Sequence, residues 1–153
     1  SKKIIALIEK IIRQTNYKVE LRMHADDARD LNVANCRVCY HNAKDKSLEN
    51  YFSEIDFQIS GESSIHLESI YLNIPSVYYN FTYQEPQDYF HFFKEGLLTT
   101  LNTEKISEEY FDYLATNLTP KKIFQKFIHS VEEPYDGSVG ALIIEKIRYN
   151  DHK

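Results

Sequence analysis

"FQISGESSIHLESIYLNIPSVYY", residues 57–79, decides the fold of this chain. Phe57 to Ser60 is a short apolar run that enters a polar turn holding Ser60, Gly61, Ser63 and Ser64. Apolar residues then recur at helical spacing through Ile65, Leu67, Ile70, Tyr71 and Leu72. Asn73 suits a left-handed C-cap, and Pro75 forbids further helix. "SVYYNF", residues 76–81, reads as the next strand. Strand, turn, helix, turn, strand is a βαβ unit, which implies two parallel strands joined by a crossover.

The same pattern extends toward the N-terminus. "KKIIALIEKIIRQT" places Ile4, Ile5, Leu7, Ile8, Ile11 and Ile12 on one helical stripe. "KVELRMH", 18–24, alternates Val19, Leu21 and Met23 as a strand, and "CRVCYHN", 36–42, is a second short strand. Ser47 is the expected N-cap of a helix that buries Leu48, Tyr51 and Phe52. The expected fold is therefore α/β: a Rossmann-like three-layer domain with a short, mostly parallel, four-stranded sheet. Beyond residue 82 an aromatic loop leads to helices over 107–117, 120–132 and 141–150, with Ser107 capping the first and Pro120 opening the second. Residues 1–153 read as one domain, with a βα core over 1–82 and the loop and C-terminal helices over 83–153.

Composition narrows the function. The chain is 42% hydrophobic and 27% charged, as expected for a globular core. A net charge of −5 argues against nucleic acid as the main partner, since phosphate backbones call for basic surfaces. No transmembrane span and no secretory signal are visible. Cys36 and Cys39 read as ordinary reduced thiols. In a strand their odd separation turns them to opposite faces, and no second pair completes a zinc site with His41.

Open parallel sheets bind ligands at the carboxyl ends of their strands. Here those ends carry His24, residues 42–44, residues 60–64 and residues 80–82, which are expected to converge on one rim. Two hydroxyls, from Ser63 and Ser64, together with backbone N–H groups suit a phosphate or diphosphate. Capping explains one such serine but does not require three. Gly61 allows close backbone approach, whereas the Glu62 carboxylate competes for the same positive end. His24 can donate to a phosphate oxygen, and Glu68, one turn beyond Ser64, can accept from ribose or sugar hydroxyls.

These residues carry a resemblance. "VELRMHADD" followed by "LENYFSEIDFQISGESSIHLESIYLNIPSVYYNF" resembles the nucleotide-binding C-terminal half of GT-B-type glycosyltransferases. In particular it resembles the group that makes bacterial capsule, lipooligosaccharide and teichoic-acid-like polymers. That group has a strand ending in His-Pro, a Ser-Ser pair, Leu-Glu on a helix, and a Gly-x-Pro exit. Here the matching residues are His24, Ser63 with Ser64, Leu67 with Glu68, and Asn73 with Pro75. Ala25 stands where the group has Pro, and Asn73 where it has Gly. The resemblance covers residues 2–82, about half the chain.

It implies a donor-binding half that is inactive alone, with the acceptor site in an N-terminal domain not included here. Within it, His24 would act catalytically by stabilising the leaving nucleotide. Ser60, Gly61, Ser63, Ser64 and Glu68 would bind the nucleotide-sugar, which is a substrate, so neither cofactor nor metal is expected. The implied location is cytoplasmic, at the inner face of the plasma membrane. A CDP-glycerol-type glycerophosphotransferase, half of a nucleotide-sugar epimerase, and a non-catalytic assembly module are the competing readings. Aromatic residues over 78–93 (Tyr78, Phe81, Phe90, Phe93) are expected to cover the sheet edge or the face toward the other domain, where an exposed patch would favour a homodimer.

Overall fold

A computed structural model describes residues 2–117, apart from 25, 28, 30, 32, 83–87 and 89, together with residues 123 and 124. The chain divides into two units, Ser1–Thr119 and Pro120–Lys153, and every element named below belongs to the first. Most of the helix expected over 120–132, and all of that over 141–150, lies outside the described residues.

Helix α1 (Lys2–Gln14) buries Leu7, Ile8 and Ile11, the inward members of its apolar stripe. The last turn of any helix leaves carbonyls without partners. In α1 the guanidinium of Arg37 donates to the carbonyls of Ile12 and Thr15. Strands β1 (Val19–Met23) and β2 (Val38–Asn42) pair in parallel, with Val19 opposite Val38 and Met23 opposite Asn42. The second strand starts later than the sequence suggested. Asn35 Oδ1 accepts from the Arg37 amide at 2.9 Å, and the Val38 amide donates to the Asn35 carbonyl at 3.0 Å, so Cys36 sits in a turn. Only Cys39 lies in the strand, and both thiols are free and exposed.

Ser47 caps α2 (Leu48–Phe52), its Oγ accepting from the Asn50 amide at 3.2 Å. Tyr51 and Phe52 are buried as expected, whereas Leu48 is only half-buried. Strand β3 (Gln58–Ser60), helix α3 (Ile65–Tyr71) and strand β4 (Ser76–Tyr78) follow. Strand β5 (Thr99–Thr100) was not foreseen; it pairs in parallel with β4. A 3-10 turn over Thr103–Lys105 precedes α4 (Glu108–Thr116), where Ser107 Oγ accepts from the Tyr110 amide at 3.2 Å.

The architecture is mixed α/β with short parallel sheets, compatible with a Rossmann-like fold. One expectation fails: the strands do not form one sheet. They form a pair, β1-β2, and a triplet, β3-β4-β5. Where β1 and β3 would meet there is a cavity of about 480 Å³, lined by residues of both strands. Tyr51 takes over part of the bridging role. Its hydroxyl lies 3.1 Å from Gln58 Oε1 and 3.4 Å from the Glu20 carbonyl. In consequence every residue of β1 is half-buried, whereas an interior parallel strand is normally covered on both faces.

The main core joins Leu7 and Ile11 of α1 to Val77 of β4, Leu101, Ile106, and Phe111 and Leu114 of α4. Tyr17, Phe57 and Phe111 pack edge to face, with centroids 5.0–5.8 Å apart. Among the described residues no helix is long and apolar enough to cross a membrane.

Candidate functional site

The turn after β3 is built by buried polar groups that the apolar pattern of α3 does not reveal. His66 is 0% exposed. Its Nε2 lies 2.8 Å from the Gly61 carbonyl, which can only accept, so Nε2 carries the proton and donates. The Ser76 hydroxyl then donates to Nδ1, across 2.6 Å. Burial holds the imidazole neutral, lowering its pKa to about 4 against a partial rise from the Gly61 bond. His66 thus ties the turn to the first residue of β4.

Ser69, also 0% exposed, does the same at the helix exit, donating to the Ile74 carbonyl at 3.0 Å. The exit is a Schellman motif: the Ile74 amide donates to the Ser69 carbonyl and the Asn73 amide to the Ile70 carbonyl. Asn73 takes the left-handed conformation expected of it, with φ 60°. The buried face of α3 is accordingly His66, Ser69 and Ile70, whereas Tyr71 and Leu72, which are part of the apolar repeat, are exposed.

The serines differ in what they do. Ser60 ends β3, and its carbonyl accepts from the Tyr79 amide at 2.8 Å. Ser63 Oγ accepts from the Ile65 amide at 3.3 Å, an ordinary capping contact. Ser64 stands at the N-cap, yet its exposed side chain makes no capping bond. The amides of Ser63 and Ser64 have no acceptor among the described residues. Gly61 does permit a close approach, but to protein: a Cβ there would lie 3.4 Å from the Phe81 ring. Glu62 is engaged as well, accepting from the Asp88 amide at 3.0 Å. These roles predict a split result. Ser63→Ala should cost about 1 kcal/mol in chemical denaturation, and Ser64→Ala should leave the midpoint unchanged.

Glu68 is the unbalanced residue of the site. Its Oε2 is buried and has no hydrogen-bond partner. A buried acceptor left unmade costs about 1–3 kcal/mol. It lies one turn along α3 from Ser64, on the same side of the helix.

The rim forms in two halves. Within the β1-β2 pair, the Ala43 amide donates to the Met23 carbonyl, which sets residues 42–44 beside His24. The His24 side chain is 79% exposed, and its Nδ1 accepts from the Asp26 amide at 3.2 Å. Its side-chain partners are in its own loop, and among the described residues no hydrogen bond or ion pair joins it to the serine turn. Within the triplet, residues 60–64 and 80–82 share an end because β3 and β4 are parallel. Sequence reasoning missed a cation there. The Lys3 ammonium, at the start of α1, donates to the carbonyls of Asn80 and Thr82. Only a contact 77 residues distant reveals it, so no local pattern could have signalled it.

Tyr78, Phe92 and Phe93 pack onto this half of the molecule. Tyr78 and Phe93 meet edge to face at 4.9 Å, and Phe92 lies 5.9 Å from the His66 ring. Of Tyr78, Phe81, Phe90 and Phe93, only Phe90 is exposed, at 37%. Among the described residues no group of three or more His, Cys, Asp or Glu side chains is placed to hold a metal ion. No protein-family model, curated protein or solved structure matches this chain.

Proposed function

We propose that this chain is the nucleotide-sugar donor-binding half of a GT-B-type glycosyltransferase that builds bacterial surface polysaccharide. The observation that carries the reading is the buried, unpartnered Oε2 of Glu68, one helical turn from Ser64, whose hydroxyl makes no capping bond. A carboxylate in that state lacks a donor, and the hydroxyls of a ribose or sugar are donors of the right kind. Ser64 Oγ–H and the amides of Ser63 and Ser64 supply the complementary set, donors without acceptors, which suits phosphate oxygens. At seven residues α3 is too short for a large dipole, so these discrete donors, not the helix field, carry the binding. Lys3 adds positive charge at the same strand ends. His24 approaches the leaving phosphate only if its loop turns toward the serine turn, and the activity requires the acceptor-binding half.

Three contacts favour a second reading, a binding or assembly module that has lost its donor site. His24 is held beside Asp26, and Glu62 and Ser63 already have protein partners. Calorimetric titration with CMP, CDP, UMP and UDP separates the two. The donor-site reading expects saturable binding of one base, weakened by Ser64→Ala with the fold intact. Failure of all four nucleotides to bind would remove that reading and leave the assembly module.

A further inference from the structure

The cavity between β1 and β3 reaches Ile59 and Phe81 near the serine turn at one end and opens at the other. Its exposed lining residues lie at the amino ends of the strands: Asn16 and Lys18 before β1, Glu54 and Asp56 before β3. The serine turn lies at the carboxyl end of β3. At about 480 Å³ the cavity falls in the size range of small-molecule sites, roughly 300–1,000 Å³. Its walls are apolar, formed by α1, β1, β3 and α4 through side chains such as Ile8, Leu21, Ile59 and Phe111. The mouth is different in character. Glu54, Asp56 and Glu108 share the lining with Lys18, and a second ammonium, that of Lys46, reaches Glu54. Two of the three carboxylates are engaged, Glu54 by Lys46 at 2.6 Å and Glu108 by the Asn16 amide. Asp56 has no hydrogen bond or ion pair among the described residues.

We propose that this cavity is a second binding site, for a small molecule with an apolar body and a cationic amine head. The body replaces contacts that β1 and β3 fail to make with each other, and burying it is favourable in proportion to its apolar area. Asp56 is the counter-ion for the head, and Tyr17, in the same lining, adds aromatic surface for the cation. The local field agrees in sign. Burial first, then a hydrogen bond to Asp112, then the charges of Asp112, Asp56 and Glu108 push the Tyr17 phenol up to about 12. Of these causes only the charges of Asp112, Asp56 and Glu108 favour a cation at the mouth; burial does not. An anionic amphiphile of equal length meets the opposite field.

The test is a titration of the labelled chain with octylammonium, octanol and octanoate, followed by amide chemical shifts at constant pH and salt. Octylammonium should saturate with shifts around β1 and β3, and octanoate should bind at least about tenfold more weakly. Asp56→Asn, an exposed change, should reduce octylammonium to the affinity of octanol. Leu21→Trp should abolish binding of both by filling the cavity, and its fold is checked by circular dichroism. Octanoate binding as tightly as octylammonium, an unchanged preference in Asp56→Asn, or no saturation by any of the three would overturn the proposal.

Discussion

Replacing His66 with alanine is expected to lower the unfolding free energy by about 3–5 kcal/mol. The ring is wholly enclosed and touches Phe92, so its removal leaves a void that rigid neighbours fill poorly. It also leaves the Gly61 carbonyl and the Ser76 hydroxyl without their partner. A pH signature goes with it. The folded imidazole titrates near 4, below its ordinary 6.5. Above 6.5 both folded and unfolded chains hold it neutral, and its contribution is complete. As pH falls from 6.5 toward 4 the unfolded chain takes up the proton first, so stability declines by about 1.4 kcal/mol per pH unit, about 3 kcal/mol in all. Glutamine can offer one donor and one acceptor without titrating. His66→Gln should therefore lack this part of the slope in denaturant midpoints measured from pH 7 to 4. Equal slopes in the two proteins would show that His66 does not carry it.

Glu68→Ala is expected to do two opposite things. It removes a buried oxygen that has no partner and introduces the strongest helix former, so the free chain should gain about 1 kcal/mol. If the donor reading holds, the same change should weaken nucleotide binding by roughly tenfold or more, the loss of about one charge-assisted hydrogen bond. Thermal melts with and without nucleotide measure both quantities. A stabilised chain with unaltered affinity would make Glu68 a structural imperfection. A destabilised chain would mean that its carboxylate has a structural partner.

Much of this was legible in the residues, for identifiable reasons. The stripe of α1 repeats over thirteen residues, long enough for periodicity to be decisive. Ser47, Ser107 and Asn73 act through local backbone geometry, which spacing alone determines, and all three behave as their positions imply. What escaped notice depends on contacts distant in sequence. Whether β1 pairs with β3 is settled by tertiary packing around Tyr51, not by the alternation of either strand. Strand β5 is two threonines, too short to show a period. On a helix His66 and Ser69 look like solvent-facing residues. Their burial follows from the carbonyls of Gly61 and Ile74, which would otherwise lack these partners. For the site, residues 60–64 follow the end of β3 as the pattern implied, but the division of labour among the serines was not visible. Ser63 and Ser64 are chemically identical until the capping bond is located.

The central claim is that the turn after β3 and the first turns of α3 bind the nucleotide. Amide chemical shifts of the labelled chain, recorded while CMP, CDP, UMP or UDP is added, test it most directly. Saturable shifts for one of them are expected at Ser63, Ser64 and Glu68, with those at Asn16 and Asp56 unmoved. Shifts confined to other regions, or none at nucleotide concentrations well above the protein, would contradict it.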